Sequence, residues 1–303
     1  MAPRLSAVAA AAAILLAACG AHAAPRTDAG ASSTSTAPTT VDGEPPTSRP
    51  TANNGTPSRT PTTRSARSGG PNGAGSAPSA SGDKIAAAAQ DAPGQFAGVL
   101  LAPGAARAIV LDVRVESGTT ANPDVISAVA QLLRGQSGKT VAVHGPTALS
   151  DTAQTHDAAA VRRVADTQGE RNQPDTAVVH LLYFKGSFAQ DGVLGVTVRA
   201  DTIAVFPDQI AGATSPLAGE ARIERSVVTH EVGHVLGLVD LFLNDNRDDP
   251  AHPGHSTNRG SVMYWAVESD VVSQLFDGPP PVDFDANDLA DLAEIHSGAG
   301  PQG

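Results

Sequence analysis

His230-Glu231-Val232-Gly233-His234-Val235-Leu236-Gly237-Leu238-Val239-Asp240 is the segment that decides how this chain folds and what it can hold. His230 and His234 stand four residues apart, so on a helix they lie one turn apart on one face and can reach the same metal ion. Glu231, one residue along, is set to approach a water on that ion rather than the ion itself. Val227, Val228, Val232, Val235 and Leu236 make the same helix largely apolar. Two histidines and a glutamate are costly in such surroundings unless they are paired or bind a metal. Catalytic zinc takes three protein ligands and keeps a fourth position open. Gly237 accounts for the third ligand. A glycine can adopt the left-handed conformation that ends a helix and turns the chain back, which lets Asp240 point at the metal. His252 and His255, in the loop that follows, are the alternatives to Asp240.

Beyond that loop stands Ser261-Val262-Met263-Tyr264, and Met263 is one of only two methionines in the chain. Farther on, Asp285 to His296 reads as a closing helix. Together these features resemble the metzincin zinc peptidases. H-E-x-x-H-x-x-G-x-x-D is similar to their extended metal motif in the variant with aspartate as third ligand, whereas histidine is commoner there. Small neutral proteases of the snapalysin type and some matrixin-like proteins share that aspartate. Met263 resembles the methionine of the Met-turn, an apolar floor beneath the ligands.

The resemblance covers roughly Lys84 to His296, with its specificity concentrated between Val228 and Tyr264. It implies one catalytic zinc held by His230, His234 and Asp240, with Glu231 as general base to a metal-activated water. It also implies a protein or peptide substrate, laid as a strand along the edge formed by Val193 to Arg199. Tyr264 receives no catalytic role, because the position two after the methionine is Trp265. Asp245, Asp248 and Asp249 lack the glycine and bidentate glutamate of a known calcium loop, so calcium is possible but unsupported, and a solvated acidic loop is expected.

Working upstream, the texture is mixed α/β. Arg107 to Glu116 alternates like a strand. Asn122-Pro123-Asp124 opens a helix whose apolar stripe is Val125, Ile126, Val129, Leu132 and Leu133. Thr140 to His144, Thr176 to Phe184, Val193 to Arg199 and Thr202 to Phe206 read as further strands, and Asp151 to Gly169 as partly helical. His144 and His180 fall in strands and read as satisfied strand histidines. The expected fold class is therefore an α/β (α+β) metzincin-like domain: a twisted mixed sheet of about five strands with a zinc helix, a Met-turn and a C-terminal helix.

The N-terminus has a different character. Arg4 precedes an apolar run from Ala7 to Ala18, too short to cross a bilayer as a helix. Leu16-Ala17-Ala18-Cys19 resembles the lipobox of bacterial lipoproteins, and Cys19 is the only cysteine present. Residues 1–19 thus read as a lipoprotein signal peptide with Cys19 as the lipidated residue. No internal disulfide is possible. Residues 20–82 are rich in Ser, Thr, Pro, Ala and Gly with almost no large apolar residue, the composition of a disordered tether. Residues 83–303 form the metalloprotease domain. A net charge of −11 lacks the basic footprint of a nucleic-acid binder. The organisation implied is a monomeric protease attached to the cell membrane through its lipid, or shed from it. An inert lipoprotein that keeps the same shell is the alternative.

Overall fold

The computed structural model describes residues 80–301. The signal segment with Cys19 and residues 20–79 of the expected tether lie outside the described residues. The first helix, α1 (Ala80–Ala88), takes in the last three residues of that tether. Among the described residues no helix is long and apolar enough to cross a membrane.

A short helix α2 (Ala97–Leu101) precedes β1 (Ala108–Glu116), α3 (Pro123–Ser137), β2 (Thr140–Leu149), β3 (Thr155–His156) and α4 (Ala158–Gln168). Next come β4 (Thr176–Tyr183), β5 (Ser187–Phe188), β6 (Gly195–Arg199), β7 (Thr202–Val205), α5 (Pro207–Gly212) and α6 (Glu220–Val235). The chain ends with β8 (Asp248–Asp249), β9 (His252–Ser256), a 3-10 turn (Trp265–Glu268), α7 (Val272–Leu275) and α8 (Ala286–His296). The main sheet has five strands in the order β2-β1-β4-β7-β6. Its first four strands run parallel, and β6 pairs antiparallel with β7 at one edge.

Period-two alternation divides the core between the two faces of this sheet. Ala177, Val179, Leu181 and Tyr183 of β4 pack with Ile109 and Leu111 of β1 against α3 and α6. Leu182, Val196, Val198 and Ala204 face the other way, onto Val161, Val164 and Ala165 of α4. Each face is covered, as a mostly parallel sheet requires.

Helix starts follow local chemistry. The Asn122 side chain accepts from Asp124 N–H at 2.9 Å, with Pro123 inside the first turn. Asp285 and Asp288 form a reciprocal capping box at α8. The N–H of Asn122 donates to the Glu224 carboxylate at 2.9 Å, and so does the Tyr183 hydroxyl at 3.0 Å. Glu224 thereby ties β4 and the start of α3 to α6. His144 pairs with Glu170, and His180 lies buried with Nδ1 3.1 Å from Asp112.

Candidate metal centre

Helix α6 brings the site together because it is buried almost all round from Ile223 onward. It ends as the glycine predicts. Leu238 N–H donates to Gly233 C=O at 3.0 Å and Gly237 N–H to His234 C=O at 3.1 Å, with Gly237 at φ +80°. This is the left-handed two-bond termination that satisfies the last carbonyls of a helix. Gly233 is needed for a second reason: a Cβ there would overlap the Met263 sulfur, so Met263 lies directly against the helix between the histidines.

His230 Nδ1 donates to the Val262 carbonyl at 2.7 Å. A carbonyl only accepts, so the proton sits on Nδ1 and the Nε2 lone pair is free. His255, on β9, lies with Nδ1 3.2 Å from the Pro253 carbonyl and with Nε2 3.1 Å from a Glu268 carboxylate oxygen. His234 Nδ1 is buried with no hydrogen-bond partner, and its Nε2 lies 3.0 Å from Nε2 of His230. The rings of His230, His234 and His255 stand 4.7, 5.0 and 5.2 Å apart, centroid to centroid.

Glu268, at the end of the 3-10 turn, completes the group. One ligand atom from each of His230, His234, His255 and Glu268 lies within 4.8 Å of the others. All are buried, with exposures of 0, 2, 6 and 3 %. Converging imidazole nitrogens with an acidic oxygen, hidden from water and partly unpaired, fit a zinc ion. Burial and mutual contact shift the protonation of this group. Burial pushes the His230 imidazole down to about 4, even against the nearby Glu268 charge. Burial and the neighbouring His230 also hold His234 well below the usual range. His255 moves the other way, because the Glu268 carboxylate outweighs its burial.

Glu231 is fully buried beside this group. Its Oε2 accepts the Thr197 hydroxyl at 2.8 Å. Gly195 and Thr197 alternate onto the α6 side of β6, and a Cβ at Gly195 would press on Val227 and Glu231. A bare glycine thus lets the strand come close enough for Thr197 to hold the carboxylate. Burial, and then the Glu268 charge, raise the Glu231 carboxyl well above the ordinary range.

Asp240 stands apart from the group. Val239 and Asp240 both have positive φ, at 54° and 61°, an uncommon conformation for residues with side chains. The Asp240 carboxylate accepts from the N–H groups of Asp245 at 3.1 Å and Arg247 at 3.0 Å, with Asp248 at 3.4 Å. Burial works against its charge, but a side-chain hydrogen bond with Asp245, and then these backbone ones, win and hold its carboxyl low. Asp245, beside it, is raised to about 7 by burial and by its hydrogen bond to Asp240. The expected third ligand therefore fastens the loop that delivers His255. His252 stacks on Trp265 at 4.4 Å and bonds Asp249, away from the metal group. The edge expected to receive a substrate strand is covered: all of β6 is buried, and its Val198 carbonyl accepts from Arg162.

Thr197 and Glu268 escaped the sequence reading. Neither stands at a fixed spacing from the helix motif, and only a glutamate in the otherwise apolar turn Trp265-Ala266-Val267-Glu268 hinted at the second.

No protein-family model and no curated protein matches this sequence. Three solved structures are similar at low level. An archaemetzincin from Archaeoglobus fulgidus is 18% identical, with a TM-score of 0.37, over 61% of this chain and 99% of that one. An archaemetzincin from Methanopyrus kandleri is 16% identical, with a TM-score of 0.40, over 64% of this chain and 97% of that one. A zinc-dependent peptidase from Methanocorpusculum labreanum is 15% identical, with a TM-score of 0.37, over 61% and 99%. At TM-scores this low the likeness is one of outline, and the chemistry rests on the residues of this chain.

Proposed function

We propose that the chain is a zinc-dependent endopeptidase of the bacterial cell envelope, with His230, His234 and His255 as the metal ligands and Glu231 as the general base. The observation that carries this is the convergence of three buried histidine Nε2 atoms within one group, with a buried glutamate anchored beside it. Bound zinc would supply Lewis acidity, polarising a substrate carbonyl and making a water acidic. Val262 and Pro253 orient two of the histidines through their carbonyls, the kind of outer support that fixes ring position and raises ligand basicity. Thr197 holds one Glu231 oxygen, which leaves the other to take a proton from a water and return it to the leaving amine. Burial raises the Glu231 carboxyl above the ordinary carboxylate range, the direction that favours holding a proton once it has been taken. Met263, pressed against Gly233, serves as the apolar floor of a Met-turn. Attachment through Cys19 would hold the domain at the membrane surface.

The test is cleavage of an unfolded polypeptide such as casein, with and without chelator, in wild type and Glu231→Ala. Glu231 needs no place among the ligands, so the variant should keep about one zinc per chain while cleavage falls about 10²–10⁴-fold. Equal cleavage by both proteins would place the chemistry elsewhere. A second reading, an inert shell that holds zinc without turnover, is favoured by one observation, the near-complete burial of the site. A zinc-loaded wild type unable to cut any unfolded chain would establish it.

A further inference from the structure

The proposed ligand set leaves a fourth position unassigned, and the structure aims a carboxylate at the same place. Glu268 Oε1 lies 3.1 Å from His255 Nε2, and its Oε2 lies 3.7 Å from His230 Nε2. The backbone around it is fastened to the strand approaching β6. Leu194 N–H donates to the Glu268 carbonyl at 2.9 Å, and Asp270 N–H to the Gly192 carbonyl at 2.8 Å. Val193 and Ser269 form an isolated bridge between the same segments. On the other side, Trp265 stacks on His252 in the loop that carries His255. The turn is thus held at both ends, which leaves side-chain rotation as the simplest movement available to Glu268.

Charge points the same way. A divalent ion held by three neutral imidazoles would leave a buried site with a net positive charge. An unbalanced buried charge is strongly unfavourable. The Glu268 carboxylate reduces the imbalance, and three nitrogens with one carboxylate oxygen make the four-coordinate set that zinc prefers.

We infer that Glu268 is a fourth protein ligand that closes the zinc centre of the resting protein, so that an incoming anion or substrate carbonyl gains the metal only by displacing it. This rests on His230, His234 and His255 being the other three ligands. A closed set of four is ordinarily the mark of a structural zinc site. In a peptidase it makes the resting enzyme latent, with Glu268 swinging clear before substrate can engage.

The experiment uses the full chain loaded with zinc or cobalt(II), comparing wild type with Glu268→Gln and Glu268→Ala. The near-isosteric glutamine variant guards against simple misfolding, and the melting temperatures of the metal-free proteins check it. Zinc affinity is measured by competition with a chelator, and access to the metal by titrating azide into the cobalt protein while following its visible spectrum. Wild type should give a four-coordinate spectrum that resists azide. Both variants should bind zinc at least about 10-fold more weakly and respond to at least about 10-fold less azide. Equal zinc affinity and equal azide response in all three proteins would overturn the inference and leave the three-histidine site standing. A wild type that binds no zinc, or a His255→Ala variant that binds it unchanged, would instead overturn the ligand set beneath it.

Discussion

At the scale of single residues, the site depends on which side chain supplies the third nitrogen or oxygen. His255 lies with His230 and His234, while Asp240 spends its carboxylate on backbone N–H groups of the loop. His255→Ala should therefore lose zinc as completely as His230→Ala. Asp240→Ala should keep near one zinc per chain, with at most a moderate fall in affinity as the loop loosens. Elemental analysis after gel filtration reads both, and zinc loss confined to Asp240→Ala would reverse the assignment. Acid should also act on the metal-free protein. Burial holds His230 at about 4 and, with the neighbouring His230, holds His234 well below its usual range, against about 6.5 in an unfolded chain. Between those values the unfolded state binds more protons, so stability present above pH 6.5 is lost as pH falls toward 4. For His230 alone the shift corresponds to about 3 kcal/mol, offset in part by His255, whose raised pKa acts in the opposite direction. Urea unfolding at pH 7 and pH 4.5 should show a net loss, and the slope should flatten in His230→Gln.

Elements matter because β6 and α6 touch through a glycine. Gly195 has no room for a Cβ between Val227 and Glu231, and overpacking of this kind costs about 1–3 kcal/mol. Gly195→Ala should thus lower stability by that amount in urea and push Thr197 off Glu231, cutting peptide cleavage more than zinc content. An alanine variant as stable and as active as wild type would show that the strand does not position the base. Much at this scale was legible beforehand. The Asn122-Pro123 helix start, the Gly237 helix stop and the β-branched strands each depend on a few neighbouring residues, and each stands where its local chemistry puts it. Two short strands, β8 and β9, run through the loop expected to be irregular. The loop before them is fastened to the Asp240 carboxylate, a contact that no local pattern announces.

At the scale of the whole molecule, charge is unevenly divided along the chain. Residues 20–82 carry five Arg against three acids, so residues 83–303 are more acidic than the chain as a whole. If the chain is anchored at an anionic membrane surface, an acidic domain is repelled from that surface. If Cys19 is the lipidated residue, Cys19→Ser should move the protein from the membrane to the soluble fraction while leaving peptide cleavage per molecule unchanged. Unchanged membrane association, or a mature N-terminus without acyl mass, would remove the anchor from the account.

Taken by itself, the sequence determined the mixed α/β class, the helix that carries His230, Glu231 and His234, and its stop at Gly237. These follow from spacing and backbone preference within about a dozen residues. Only the tertiary structure decided which groups complete the centre. His255, Glu268 and Thr197 arrive from β9, the 3-10 turn and β6. Their meeting is set by long-range packing: a loop held by Asp240, a turn zipped to the strand before β6, and a glycine that lets sheet and helix close together. Asp240 shows the reason most plainly. Its distance in sequence from Gly237 suits a ligand, but two successive residues at positive φ turn its carboxylate toward the loop, and no spacing rule encodes that turn.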